Sequence, residues 1–162
     1  MKSMDRDGLF LCDLQAKTFE ESIDVVPVSS EIFIRRFMNS EAARSLDSGY
    51  ALQVITQPED IFIQIEEQYG PSNYGSVKYS HNEMAWIGYL YRYFAYTYEL
   101  STLQVYKIVK PKELRDLFLP YHTLDTSQAI ERILEAKGML LTQEEELKRQ
   151  YEIFRRIRKG GA

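Results

Sequence analysis

The chain carries one cysteine, Cys12, one tryptophan, two histidines and five prolines in 162 residues, and each scarcity removes a class of protein. A lone cysteine closes no internal disulfide and supplies no cysteine-rich zinc site, so the fold stands on packing. His81 and His122 sit in no H-x-x-x-H or H-E-x-x-H arrangement. A mixed site would have to borrow Glu83 or Asp125, acids that already serve as helix-start residues, so no metal and no cofactor is expected. Nucleotide motifs are missing as well: there is no G-x-G-x-x-G, and Gly70-Pro71-Ser72-Asn73-Tyr74-Gly75 lacks the Lys-Ser/Thr of a phosphate loop. No run approaches the ~18–20 apolar residues of a membrane span, and Met1 to Asp7 is charged where a signal peptide is apolar. The expectation is a cytoplasmic globular protein with no membrane partner.

What is present is ample apolar material. With 44% hydrophobic and 13% aromatic residues, the chain can bury enough surface to offset the entropy of ordering, which argues against disorder. Its length suits one domain. Tyrosine is in excess, twelve against the single tryptophan.

Helix signals punctuate most of the chain. In residues 1–28 the pattern is mixed, and Val25-Val26 before Pro27 favours extended backbone, so an N-terminal arm or short strands are expected there. Ser29-Ser30 offer caps to a helix containing Phe33, Ile34, Phe37 and Met38. Asn39-Ser40 begin a further turn stopped at Gly49, as one kinked helix or two short ones. Thr56 and Glu59 have capping-box spacing with Pro58 in the first turn, and Ile61, Phe62, Ile65 and Tyr69 form a stripe that ends at Gly70-Pro71, followed by a loop over 72–76.

Ser80 and Glu83 form a second box opening His81 to Glu99, whose aromatic residues cover most of the circumference and so describe a central helix. Ser101 caps a short helix to Val109, and Lys112 to Leu119 is expected to stop at Pro120. Asp125 with Gln128, and Thr142 with Glu145, open two more helices; the last, 143–158, is expected to bury Leu147, Tyr151 and Phe154 with Ile157 beside them. The prediction is a mainly α protein, a single compact helical domain of six or seven helices over 29–162, forming one globular unit with residues 1–28.

Candidate site residues cluster on the aromatic helix and after it. Arg92 is the one polar break in its apolar surface, near Tyr96 and Glu99 at helical spacing. A guanidinium among tyrosines binds phosphate or carboxylate, or stacks on a ring. The plainer reading, which we favour from sequence, puts Arg92 on the solvent side, pairing with Glu99 or lying over Tyr96. Trp86 and Tyr89 belong to the same helix and suit either a wet-edged core or a protein-binding face. Tyr121 and His122, just before a capped helix, form a second patch in which a neutral imidazole would donate or accept. No catalytic residue is assigned. Cys12 as a nucleophile would need a histidine and an orienting group brought to it by the fold; its plainer role is a small apolar residue.

Nucleic acid is a weaker alternative. The segment around 85–110 is reminiscent of a helix-turn-helix, with Thr102 and Gln104 early in its second helix and Lys107, Lys110 and Lys112 beyond. Charge supports it little: residues 1–80 carry a net −6 and the rest +2, whereas phosphate contacts call for a marked basic excess.

Two stretches read together, Ser29 to Ser40 (SSEIFIRRFMNS) and the block from His81-Asn82-Glu83-Met84-Ala85-Trp86-Ile87-Gly88 through Tyr121-His122-Thr123-Leu124-Asp125 to Arg132. They resemble a family of small uncharacterised proteins from Gram-positive bacteria, whose genes lie beside a small partner and an ADP-ribosyltransferase-like toxin. The resemblance spans Ser29 to Gly138 and assigns no catalytic or ligand residue. It implies a toxin–antitoxin or phage-defence setting. The expected function is a non-enzymatic cytoplasmic interaction protein with a protein partner, a toxin-neutralising component. The alternatives are a DNA-binding regulator and a small-ligand or enzyme site around Arg92, Tyr96, Tyr121 and His122.

Overall fold

A computed structural model describes residues 1–55, 57–139 and 151–157. Among them the protein is mainly α: nine helices lie between Arg6 and Ala136, residues 151–157 are helical as well, and no strand occurs. The count exceeds the six or seven expected because the N-terminal segment is helical and because α4 (Ala51–Val54) adds a single turn.

Helix α1 (Arg6–Val25) replaces the arm or strands predicted for residues 1–28. Asp5 caps it, accepting from the Gly8 amide at 2.9 Å. Its buried face includes Leu11, Cys12, Leu14 and Phe19 but also Gln15, Thr18 and Ser22, and the last two hydroxyls donate to the helix's own carbonyls at Leu14 and Phe19. Three polar residues thus interrupt the stripe and hide its helical period. Pro27 acts only locally, holding the C-cap Val26 extended.

Ser29 and Ser40 each accept from a backbone amide three residues on, so α2 (Ser30–Met38) and α3 (Glu41–Ser48) are two helices rather than one kinked one. Gly49, at φ 81°, ends α3 in the left-handed region. Helix α5 (Pro58–Tyr69) has Pro58 in its first turn as expected, but Gln57 is its N-cap and makes no side-chain cap bond; Thr56, the predicted cap, lies outside the described residues. Residues 71–80 have no regular structure and are pinned across the chain, the Ser29 and Ser30 amides donating to the Tyr74 and Val77 carbonyls at 3.1 and 3.0 Å.

The Ser80–Glu83 capping box is complete at the start of α6 (His81–Tyr98), and Ser101–Gln104 forms another at α7 (Thr102–Ile108). Helix α8 (Pro111–Tyr121) continues through Pro120, which was expected to stop it. Proline near a C-terminus forfeits one amide bond, and the next turn survives because the His122 amide still reaches the Phe118 carbonyl at 2.8 Å. Residues Ala129, Ile130, Ile133 and Leu134 of α9 (Thr126–Ala136) are buried, and Gly138 follows at φ 68°. Asp125 accepts from the Ser127 hydroxyl at 3.2 Å.

The chain divides into two compact units, Met1–Ser127 and Gln128–Ala162. In the first, α6 is the central helix, burying Ile87, Leu90, Tyr91 and Phe94 and packing along α1. Gly88 makes that approach feasible: a Cβ there would meet the Gln15 carbonyl oxygen and Phe19 Cγ, each at 2.8 Å. In the second unit Tyr151, Phe154 and Ile157 are exposed, against the expected burial; an aromatic spacing of three fits a buried stripe and an open one equally. Leu147 and the Thr142–Glu145 box lie outside the described residues. No helix among the described residues is long and apolar enough to cross a membrane.

Candidate functional site

Arg92 is the chemical centre of the first unit, and it is not on the solvent side. Only 2% of its side chain is exposed. Its Nε donates to Gln15 Oε1 at 2.8 Å, Nη1 to Asp47 Oδ1 at 2.7 Å and Nη2 to Thr102 Oγ1 at 2.7 Å. The ion pair closes on itself, because Asp47 also accepts from the Thr102 amide at 3.1 and 3.0 Å and from its hydroxyl at 2.6 Å. Gln15, oriented by donating its amide to the Gly88 carbonyl at 2.9 Å, presents only its oxygen to the guanidinium. One arginine therefore ties α1, α3, α6 and α7 together. The solvent-side expectation fails because α1, α3 and the start of α7 each bring a partner to the face of α6 on which Arg92 stands, and none of the three is visible at helical spacing.

Arg92 and Tyr96 do share a cleft of about 460 Å³, whose other walls include Lys2, Asp47, Glu99 and Ser101. Its rim is held by an N-terminal clasp. The Lys2 amide donates to the Thr97 carbonyl at 2.7 Å, Lys2 Nζ sits 4.1 Å from the Tyr96 ring centroid, and the Tyr96 hydroxyl donates to Asp5 Oδ1 at 2.6 Å. That hydroxyl, with the Gly8 amide, holds the Asp5 carboxyl below its ordinary range. Burial, then its bond to Asp5, pushes the Tyr96 phenol up.

Tyr121 and His122 do not line this cleft. His122 stacks on Phe118, ring centroids 4.3 Å apart, and Phe118 meets Trp86 edge-on at 5.8 Å. Its Nδ1 lies 2.7 Å from the Phe118 carbonyl and 3.2 Å from that of Leu119; since a carbonyl only accepts, Nδ1 carries the proton and the ring serves as a C-terminal plug for α8. Tyr89 stacks on Tyr93 at 6.2 Å, half-buried, and Tyr121 is half-buried at the end of α8. The predicted site residues thus fall into separate places: Arg92 with Tyr96, and Trp86 with His122.

The segment that resembled a helix-turn-helix has α6 and α7 in place, but Thr102 is 2% exposed and bonded within the arginine network, while Gln104 Oε1 caps the Ser101 amide at 2.8 Å. Thr102 is thus committed inside the network, while the exposed Gln104 gives its oxygen to a cap. Cys12 is fully buried, and burial pushes its thiol up to about 12, which keeps it protonated. Among the described residues no group of three His, Cys, Asp or Glu side chains is placed to hold a metal ion.

A second cleft, absent from the sequence expectations, opens between the C-terminal end of α1, α2 and the C-terminal end of α5. It measures about 470 Å³ and is walled mainly by apolar groups, among them Val26, Pro27, Phe33, Phe62 and Ile65. The nearest sequence signal is Phe62, which joins the α5 stripe but remains half-buried while Ile61 and Ile65 are buried. Gly75 locks the adjoining loop: at φ 80° it lies against Ser29, where a Cβ would come within 2.7 Å of the hydroxyl.

No family model matches the chain, and no curated protein and no solved structure is significantly similar to it.

Proposed function

We propose that this chain is a non-enzymatic cytoplasmic interaction protein that binds a protein partner. The observation that supports this reading is a contrast. The side chains with catalytic potential are committed to internal bonds: Arg92 to Gln15, Asp47 and Thr102; His122 Nδ1 to two carbonyls; Cys12 to a protonated, sealed position. The apolar cleft between α1, α2 and α5, by comparison, is open among the described residues. The family resemblance supplies the partner's class, a toxin encoded nearby, which this chain would neutralise by binding.

Co-purification tests the reading. The tagged chain, co-expressed with the products of its neighbouring genes, is expected to retain one of them through gel filtration and to suppress its toxicity. If neither product is retained, and toxicity is the same with and without this chain, the reading is wrong.

A further inference from the structure

The cleft beside Arg92 is unevenly charged. Its ionisable walls are Lys2, Asp7, Asp47, Arg92 and Glu99. Arg92 and Asp47 neutralise each other at 2.7 Å, which leaves Asp7 and Glu99 against Lys2. Among the described residues neither of those two acids forms an ion pair. Glu99 is the conspicuous one. It follows α6 in the left-handed region, at φ 54° and ψ 44°, the only non-glycine with positive φ among the described residues. A glutamate is disfavoured there twice: its Cβ crowds the backbone, and its carboxylate stands at the negative end of the helix dipole. Backbone held in such a conformation is found preferentially at ligand sites.

The same cleft already receives a cation, one supplied by the chain itself. Lys2 Nζ lies 4.1 Å from the Tyr96 ring centroid, and Tyr96 first, then Asp5 and Glu99, raise the Lys2 ammonium above its ordinary pKa. Leu11, Leu46 and Leu100 give the cleft an apolar floor. The acids around that floor come from separate places: Asp7 from α1, Asp47 from α3 and Glu99 from the residue after α6. No three of them are placed to hold a metal ion. Dispersed carboxylates, an aromatic face that carries an ammonium and a floor of leucines, in a cleft of about 460 Å³, suit an extended organic cation. Its nitrogens meet the acids and the ring, and its methylenes lie on the leucines.

We infer that this cleft binds an alkyl polyamine: one ammonium displaces Lys2 from the Tyr96 ring, a second meets Asp7 or Glu99, and the methylenes between them cover Leu46 and Leu100. In the free chain Lys2 is the tethered occupant of the ammonium position, and its side chain swings out as the ligand enters. Amine binding here and partner binding at the cleft between α1, α2 and α5 are separate, so loss of either leaves the other standing.

The test is titration of the full chain with spermidine, followed by calorimetry and by backbone amide shifts. Saturable binding is expected, weakening as salt is raised, with shifts concentrated in residues 2–11, 46–49 and 95–101. Asp7→Asn/Glu99→Gln should lose about tenfold in affinity, the size that two partly exposed ion pairs allow. Lys2→Ala should instead gain about threefold, because the tethered competitor is gone; a residue that merely shaped the cleft would not tighten binding on removal. Asp116→Asn on α8, outside the cleft, should leave affinity unaltered, and helical circular dichroism verifies that every variant is folded.

Absence of saturable binding, shifts mapping elsewhere, unchanged affinity in the double variant, an equal loss in Asp116→Asn, or a Lys2→Ala variant that binds no more tightly than the wild type would each overturn the inference. So would magnesium chloride producing the same shifts at the same concentrations, because the cleft would then gather cations by charge alone.

Discussion

Replacing Asp47 by alanine takes its paired carboxylate from a guanidinium that is 2% exposed, while the Thr102 amide and hydroxyl lose their shared acceptor. Breaking a buried ion pair from one side costs ~3–5 kcal/mol, because the remaining charge stays desolvated. The Asp47 side chain is 19% exposed, so water enters where it stood, and the expected loss is about 3 kcal/mol, at the low end of that range. Arg92→Met, nearly matched in volume, leaves the carboxylate with both Thr102 donors and a wet edge, and is expected to cost about 2 kcal/mol. The order follows from burial: a stranded Arg92 has no access to water and a stranded Asp47 does. In the double variant neither charge is stranded, so the loss should be about 3 rather than about 5 kcal/mol, a coupling of about 2 kcal/mol. Urea unfolding followed by far-UV circular dichroism reads all four corners of the cycle. Single losses that add to within ~0.5 kcal/mol, or an Arg92→Met variant less stable than Asp47→Ala, would refute the view that one closed ion pair organises α1, α3, α6 and α7.

Three further outcomes are expected. Gly88→Ala puts a methyl group within 2.8 Å of the Gln15 carbonyl and the Phe19 ring and should lower stability by about 1–3 kcal/mol, measurable as a fall in Tm; an unchanged Tm would mean that α1 and α6 separate without penalty. Iodoacetamide should leave Cys12 unmodified in the folded chain at neutral pH, since its thiol is buried and pushed up to about 12, and modify it once urea unfolds the chain; rapid native labelling detected by mass spectrometry would contradict that burial. The folded-state pKa of Asp5 lies below its ordinary 3.8, held there first by the Tyr96 hydroxyl. Its contribution to stability is therefore full above that ordinary value and fades as pH falls through the folded value, so Asp5→Asn should flatten the acid limb of the stability profile and leave its shape unaltered near neutrality.

Features written within one turn of chain were readable, and features that depend on distant residues were not. The serines at 29, 40, 80 and 101 announce helices because cap and first turn lie side by side in sequence. The central position of α6 followed from aromatic residues all round its axis. Helix α1 was missed because its buried face is built from Gln15, Thr18 and Ser22 as much as from leucine, and a polar residue announces burial only when its partner is known. Gln15 bonds to Gly88 and Arg92, 73 and 77 positions away. Arg92 was identified as the odd residue in its helix, but Asp47 and Thr102, which decide its role, lie 45 and 10 positions off on other helices. The apolar cleft escaped notice for a related reason: its walls come from three helix faces, each of which looks like ordinary core by itself.

The pairing of α1 with α6 also bears on how the chain is made. Synthesis proceeds from the N-terminus, and at ~5–20 residues per second the 73 residues between Gln15 and Gly88 take about 4–15 s to add. Through the later part of that interval, once α1 itself has been made, Leu11, Leu14 and Phe19 cannot reach the helix that will cover them. Thr102, the last member of the arginine network in chain order, emerges later still. Folding of the first unit is thus largely a late event, and its first helix spends most of translation as a waiting apolar surface, the kind of segment that holding chaperones recognise.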